Sequence, residues 1–253
     1  MTIANKIGKL LPNFLFQFLQ PKYHFIRSKN SLMKRGGKYN FNKNYGGWML
    51  QLPMPNKKNM QLLARSPREF ARIVKFGNNP NDLIWKWINW IDKDNILYDI
   101  GSANGLEGFS CYHLRASTVY FIEPYTPSIE TILKNIFILK QQSEIKNKFE
   151  VIHAACTDKE DYKRLSMHDA PFAGETKNTY GDRKGYDERA GRDRKKIIGN
   201  QWIKGITIDS LKYKYKLNAP DYIKIDVDGH EDYVIRGALK TLKNYTVKSW
   251  AIE

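Results

Sequence analysis

Leu97-Tyr98-Asp99-Ile100-Gly101-Ser102-Ala103-Asn104-Gly105 is the stretch whose reading decides the fold. An apolar run over residues 95–98 reads as a buried strand that ends at an acid, and two glycines four residues apart follow it. From Leu106 to Leu114 apolar residues recur at helical spacing, so the unit is strand, tight turn, helix. Glycine puts no side chain between backbone and ligand, and the helix start behind it offers free N–H groups. Asp99 then selects among nucleotide cofactors. A dinucleotide would bring its pyrophosphate to this turn, where a carboxylate repels it. S-adenosylmethionine (SAM) carries an ammonium and a sulfonium, which a carboxylate attracts.

The segments that follow extend this unit into a sheet. Thr118 to Glu123 is a second strand ending in an acid, and Glu123 lies 22 residues beyond Gly101. In a nucleotide-binding βαβ unit that spacing places a carboxylate on the ribose hydroxyls. A helix from Pro127 to Leu139 and a third strand from Phe149 to Cys156 come next, then a polar turn at Thr157-Asp158-Lys159-Glu160. Residues 174–196 hold 13 charged residues and four glycines in 23 positions, which reads as an exposed loop, either a lid or plain disorder. Order resumes over Trp202 to Leu211. Asp221 to Val227 is a central strand running into Asp228-Gly229-His230-Glu231 and a helix through Leu242, and Val247 to Ile252 is the last strand. Strands alternating with helices predict an α/β protein with a doubly wound, mostly parallel sheet.

The pattern Ile206-Thr207-Ile208-Asp209-Ser210-Leu211, followed by Asp221-Tyr222-Ile223-Lys224-Ile225-Asp226-Val227-Asp228-Gly229-His230-Glu231, resembles the FkbM family of SAM-dependent methyltransferases. Val234-Ile235-Arg236-Gly237-Ala238 and the opening turn fit as well, so the resemblance covers residues 80–253. Two departures stand out: Asp228 where the family usually has Glu, and Ala103 where it commonly has Asn, with Asn104 one place later. The resemblance implies a Rossmann-like class I methyltransferase fold with strand order 3-2-1-4-5. It also implies SAM as donor and O-methylation of sugars or other hydroxyl-bearing small molecules. Asp99, Gly101 and Gly105, with Ser102 and Asn104 in the same turn, would hold the methionine part. Glu123 would hold the ribose, the turn from Ala155 to Asp158 would face the adenine, and Asp226 would stand at the active site.

A hydroxyl nucleophile must lose its proton, which calls for a positioned base. Asp226, Asp228 and His230 cluster at the carboxyl end of a central strand, where open α/β sheets place their ligands. If the strand alternation continues, Asp226 and Asp228 point to one side. His230 titrates near neutral pH and suits proton acceptance if it faces the substrate. The plainer alternative is that Glu231 begins a helix and favours its dipole while His230 covers the helix end. These acids could ligate Mg²⁺, but no third ligand at fixed spacing singles out a metal site.

The other end of the chain is basic. Residues 1–95 hold 17 Lys and Arg against four acids (Glu69, Asp82, Asp92, Asp94), which is +13 of the net +16. Such an excess attracts anionic partners: a membrane surface, an anionic carrier, a glycan or nucleic acid. Residues 1–79 are expected to form a basic extension, helical and irregular, ahead of a methyltransferase domain over 80–253. Apolar residues from Ile3 to Phe18 recur at helical spacing around Pro12, a helix that either packs on its own domain or lies on a membrane. Residues 20–60 read as irregular or a short hairpin, and Ser66-Pro67-Arg68-Glu69 as a helix start. Cys111 and Cys156 suggest no disulfide framework, and the apolar run Phe14–Leu19 is far too short to span a bilayer. These features suit a cytoplasmic protein, peripheral at a membrane if the basic region docks there. Two other functions compete: nucleic-acid methylation through the basic region and its aromatics (Tyr23, Tyr39, Tyr45, Trp48), although no RNA-binding motif accompanies them, and a non-catalytic module of the same fold. The sequence stops at Trp250-Ala251-Ile252-Glu253, within what reads as its fifth strand; a truncated piece, a naturally minimal sheet and completion by another chain compete as explanations, and of these an incomplete catalytic domain is the expectation.

Overall fold

The computed structural model describes residues 25–54, 59–76, 82–114, 116–142, 148–167, 178–181, 197–243 and 247–252. The helix expected over residues 3–18, and the 174–196 loop apart from 178–181, lie outside the described residues. The chain divides into two compact units, Met1–Asn79 and Pro80–Glu253.

The first unit departs from the irregular structure or short hairpin expected of residues 20–60. After helix α1 (residues 25–34) come three strands, β1 (Lys38–Asn42), β2 (Gly47–Pro53) and β3 (Asn59–Ala64), paired antiparallel in that order. The signal was the alternation of buried Leu50 and Leu52 in β2 and of Met60 and Leu62 in β3, diluted by the Lys, Asn and Gly around them. Helix α2 (Pro67–Lys75) closes the unit; Ser66 caps it by accepting the Glu69 N–H at 3.0 Å.

The second unit is built on a five-stranded parallel sheet. Its strands are β4 (Ile96–Ile100), β5 (Thr118–Glu123), β6 (Lys148–His153), β11 (Tyr222–Ile225) and β12 (Ser249–Ile252), ordered β12-β11-β4-β5-β6. Numbered along the chain, that is the expected 3-2-1-4-5, with β12 at the edge. Helices α3 (Leu83–Trp90), α4 (Leu106–Leu114) and α5 (Thr126–Gln142) flank the first three strands in sequence. Tyr98, Ile100, Tyr120, Ile122, Ile223 and Ile225 form the centre of the core, all at most 1% exposed.

Three sequence expectations are corrected here. The third strand does not run to Cys156: it ends at His153, and β7 (Ala155–Cys156) leaves the main sheet to pair with β10 (Gly199–Ile206). That second sheet, ordered β7-β10-β8-β9, adds β8 (Tyr162–Met167) and β9 (Thr179–Tyr180). Within the stretch read as an exposed loop, Thr179 and Tyr180 are therefore buried, at 4% and 6% exposure. Charge count misled because these two residues pair with Ser166 and Leu165 of β8 and so gain hydrogen bonds and cover. Lastly, the helix expected to run through Leu242 is two short ones, α7 (Glu231–Arg236) and α8 (Leu239–Leu242), after α6 (Ile208–Tyr213).

The break between α7 and α8 has a packing reason. A Cβ on Gly237 would lie 2.0 Å from the Thr157 carbonyl oxygen, so only glycine lets the chain pass β7 here. Asp209 then holds the second piece: its Oδ2 accepts the Lys240 N–H and its Oδ1 accepts the Thr241 N–H, each at 2.8 Å. Gly237→Ala forces this backbone contact apart and is expected to cost about 2 kcal/mol or more. Urea unfolding of the variant against the parent chain measures it.

Candidate active site at the ends of two central strands

β4 and β11 are neighbours, and the chain leaves β4 toward β5 on the opposite side, so the order of strands reverses between them. Such a reversal opens a crevice at the carboxyl ends of the strands. Two turns meet there, residues 101–105 after β4 and residues 226–230 after β11.

A buried ion pair joins the turns. The register sets Lys224 of β11 directly beside Asp99 of β4, and paired residues share a face of the sheet. Lys224 Nζ lies 3.2 Å from Asp99 Oδ1 and donates to the Gly101 carbonyl at 2.9 Å; Asp226 Oδ2 is 3.7 Å away. The side chains of Lys224 and Asp99 are 1% and 0% exposed, that of Asp226 24%. Asp99 Oδ2 also accepts the Gly108 N–H of α4 at 3.1 Å. Burial raises the Asp99 carboxyl above its ordinary range, and Lys224 pulls it back. Asp99 thus meets Lys224 inside the protein, a partner that its sequence position did not announce. Lys224 itself escaped sequence reasoning as a site residue. Its signal was a lone cation in a strand of otherwise apolar buried residues, which requires a carboxylate on the neighbouring strand.

The glycine turn is held by its own backbone. Ser102 Oγ donates to the Asp99 carbonyl at 2.5 Å, and the Gly105 N–H donates to the Ser102 carbonyl at 2.7 Å. Gly101 sits at φ 72°, and a Cβ there would come within 1.8 Å of the Asp226 carbonyl oxygen. The glycine is therefore required by the neighbouring strand's backbone, whatever the turn binds. Asn104 is 1% exposed, and neither polar atom of its amide has a hydrogen-bond partner among the described residues.

Glu123 closes the turn from the side. Its Oε2 accepts the Ala103 N–H at 2.8 Å and its Oε1 accepts the Tyr125 N–H at 2.9 Å. Burial nonetheless lifts its carboxyl from 4.5 to about 7, the two backbone donors offsetting only part of the desolvation.

The acid turn is less regular than strand alternation implied. β11 stops at Ile225, so Asp226 and Asp228 lie beyond the strand, and Asp228 is exposed at φ 54°. Glu231 Oε1 pins this turn by accepting the Val227 and Gly229 N–H groups at 3.2 and 3.0 Å. His230, at the start of α7, is only 9% exposed. Its ring stacks on Tyr233 at 4.7 Å and meets Tyr180 edge-on at 5.8 Å, with Nε2 lying 3.2 Å from Thr157 Oγ1. Thr157 Oγ1 donates in turn to Asp158 Oδ1 at 3.2 Å. A hydroxyl that gives its proton to Asp158 is free to accept from Nε2–H, so Thr157 links His230 to Asp158. Ala155 packs with Tyr125, Leu165, Tyr180 and Ile203, so its side chain serves the second sheet.

Two measurements test this electrostatic frame. Lys224→Met leaves the Asp99 carboxylate buried without its cation and is expected to cost about 3–5 kcal/mol in urea unfolding, while Lys224→Met with Asp99→Asn recovers part of that loss. Glu123 binds its proton more tightly folded than unfolded, so the fold is favoured below about 4.5 and loses that advantage as pH rises toward about 7. Melting temperatures across that window should fall with rising pH, and Glu123→Gln should flatten the slope.

A model of the methyltransferase FkbM domain matches residues 99–253. No curated protein sequence matches the chain. Among solved structures, the FkbM methyltransferase of Methylobacillus flagellatus KT aligns with a TM-score of 0.44 and 13% identity, over 90% of this chain and 47% of that one. A precorrin-6y C5,15-methyltransferase of Geobacter metallireducens GS-15 aligns with a TM-score of 0.34 and 11% identity, over 66% of this chain and 56% of that one. The chain thus spans about half the length of these two structures. With the domain match extending over more than half of its residues, on a parallel sheet of the expected order, the chain belongs to the FkbM methyltransferase family.

Proposed function

We propose that the protein is a SAM-dependent O-methyltransferase that acts on a hydroxyl of a sugar, a glycan or a related small molecule. The observation that carries this reading is the partly exposed Asp226 carboxylate, set beside Lys224 at the mouth of the crevice and next to the glycine turn.

The residues of the turn fit SAM. The Asn104 amide, buried and without a partner among the described residues, supplies one donor and one acceptor group for an amino-acid end that bears both a carboxylate and an ammonium. Each Glu123 oxygen accepts one backbone N–H and keeps a further lone pair, enough for the two ribose hydroxyls. Bound there, SAM supplies a methyl group on a sulfonium, a leaving group that needs no covalent help from the protein.

What remains for the chain is to align the acceptor and take its proton. Alignment accounts for much of the acceleration of such a displacement. In this reading Asp226 accepts the hydroxyl proton, supported by Lys224 beside its carboxylate and by the Glu231 hydrogen bonds that fix the backbone that follows. In this reading Asp228, exposed in the left-handed turn, contacts the acceptor, while His230 and Thr157 brace the turn that follows.

Labelled SAM offered with sugars, nucleotide-sugars, lipid-linked glycans and RNA tests the acceptor class; methylation of RNA alone would overturn it. Asp226→Asn is expected to leave SAM affinity within about threefold by calorimetry and to lower turnover by about 100- to 10,000-fold. Turnover within about threefold of the parent would make Asp226 structural.

A further inference from the structure

The first unit distributes its charge one-sidedly. Its described residues include ten Lys and Arg and a single carboxylate, Glu69. Glu69 is fully buried, and its Oε2 accepts the Arg65 N–H at 2.6 Å. No described carboxylate of this unit therefore faces water. The outer face of α1 adds apolar side chains to that field. Ile26-Arg27 is repeated seven residues on as Met33-Lys34, all four residues exposed, with exposed Asn30 between them. Residues seven apart share a helix face. Ile26 is 57% and Met33 61% exposed, whereas Leu32 on the inner side is fully buried.

We propose that the first unit binds an anionic phospholipid surface through the outer face of α1. Ile26 and Met33 enter the headgroup boundary while Arg27 and Lys34 remain at the phosphates. Apolar side chains flanked by cations are the composition of a helix lying in a bilayer interface. Among the described residues no helix is long and apolar enough to cross a membrane, so these helices can engage a bilayer only along its surface. RNA would answer the same charge, but non-specific binding of single strands relies on aromatic faces open to bases. Here Phe25, Trp48 and Phe70 pack against one another at 4.8–6.2 Å, and Tyr39 meets Phe70 at 5.5 Å, which leaves Phe41, 54% exposed and edge-on to Trp48, as a single open ring and not a row of them. Lys29 already lies over the rings of Phe25 and Tyr39, at 5.5 and 5.0 Å. A second copy of the chain would set cations against cations. The proposal does not depend on which acceptor the second unit methylates.

Flotation of the full chain tests it, with vesicles of phosphatidylcholine alone or with an equal share of phosphatidylglycerol. Binding is expected only to the anionic vesicles and should weaken as salt is raised. Ile26→Ser with Met33→Ser should reduce that binding by about tenfold or more at an unchanged melting temperature, since both side chains are exposed. Arg27→Ala with Lys34→Ala should reduce it as well and flatten the salt dependence. Equal binding to neutral vesicles, indifference to the serine pair, or tighter binding to single-stranded RNA than to anionic vesicles would overturn the proposal.

Discussion

The second unit depends on the ion pair between Lys224 and Asp99. Both side chains are withdrawn from water, and desolvating two charges costs several kcal/mol for each ion before their attraction repays it. The repayment here needs the hydrogen bonds around the pair: Gly108 N–H to Asp99, and Lys224 to the Gly101 carbonyl. It also needs one register, because a slip of one residue would turn Lys224 to the other face of the sheet. The pair thus specifies how β11 sits on β4, and with it the meeting of the two turns that form the crevice.

The residues that carry the family pattern largely do structural work around that crevice. Thr207 and Ser210 cap α6 reciprocally, Asp209 holds α8, Glu231 pins the acid turn, and Gly237 lets the chain pass Thr157. Even Gly101, whose place in the turn suggests room for a ligand, is required by the carbonyl of Asp226. The pattern is specific because several independent backbone constraints must be met at fixed spacing. The groups proposed to meet the cofactor and the acceptor are fewer: the partly exposed Asp226, the exposed Asp228, the Asn104 amide and the desolvated Glu123.

The second sheet supplies part of the surroundings of His230. By leaving the parallel sheet after His153, the chain brings Ala155–Cys156 to β10 and sets Tyr180 of β9 against His230. His230 is thereby enclosed by Tyr180, Tyr233 and Thr157, groups that come from three separate parts of the chain.

The sequence by itself determined the parallel sheet, whose strands and turns follow from local signals: apolar runs such as 95–98, glycines at fixed offsets, and acids at strand ends. Its strand order was implied by the resemblance to the FkbM family. A strand and a turn announce themselves within a few residues, because backbone propensity and side-chain alternation act over that range. The surroundings of each candidate residue were decided only by the tertiary structure. Nothing near Asp99 in the sequence announces that β11 places Lys224 beside it, and nothing near His230 that β9 and Thr157 enclose it. Residues 20–60 likewise read as irregular or a short hairpin until three strands pair into one sheet. Protonation, exposure and reach depend on which groups stand alongside in space, and those partners lie as much as 125 residues away along the chain, as between Asp99 and Lys224.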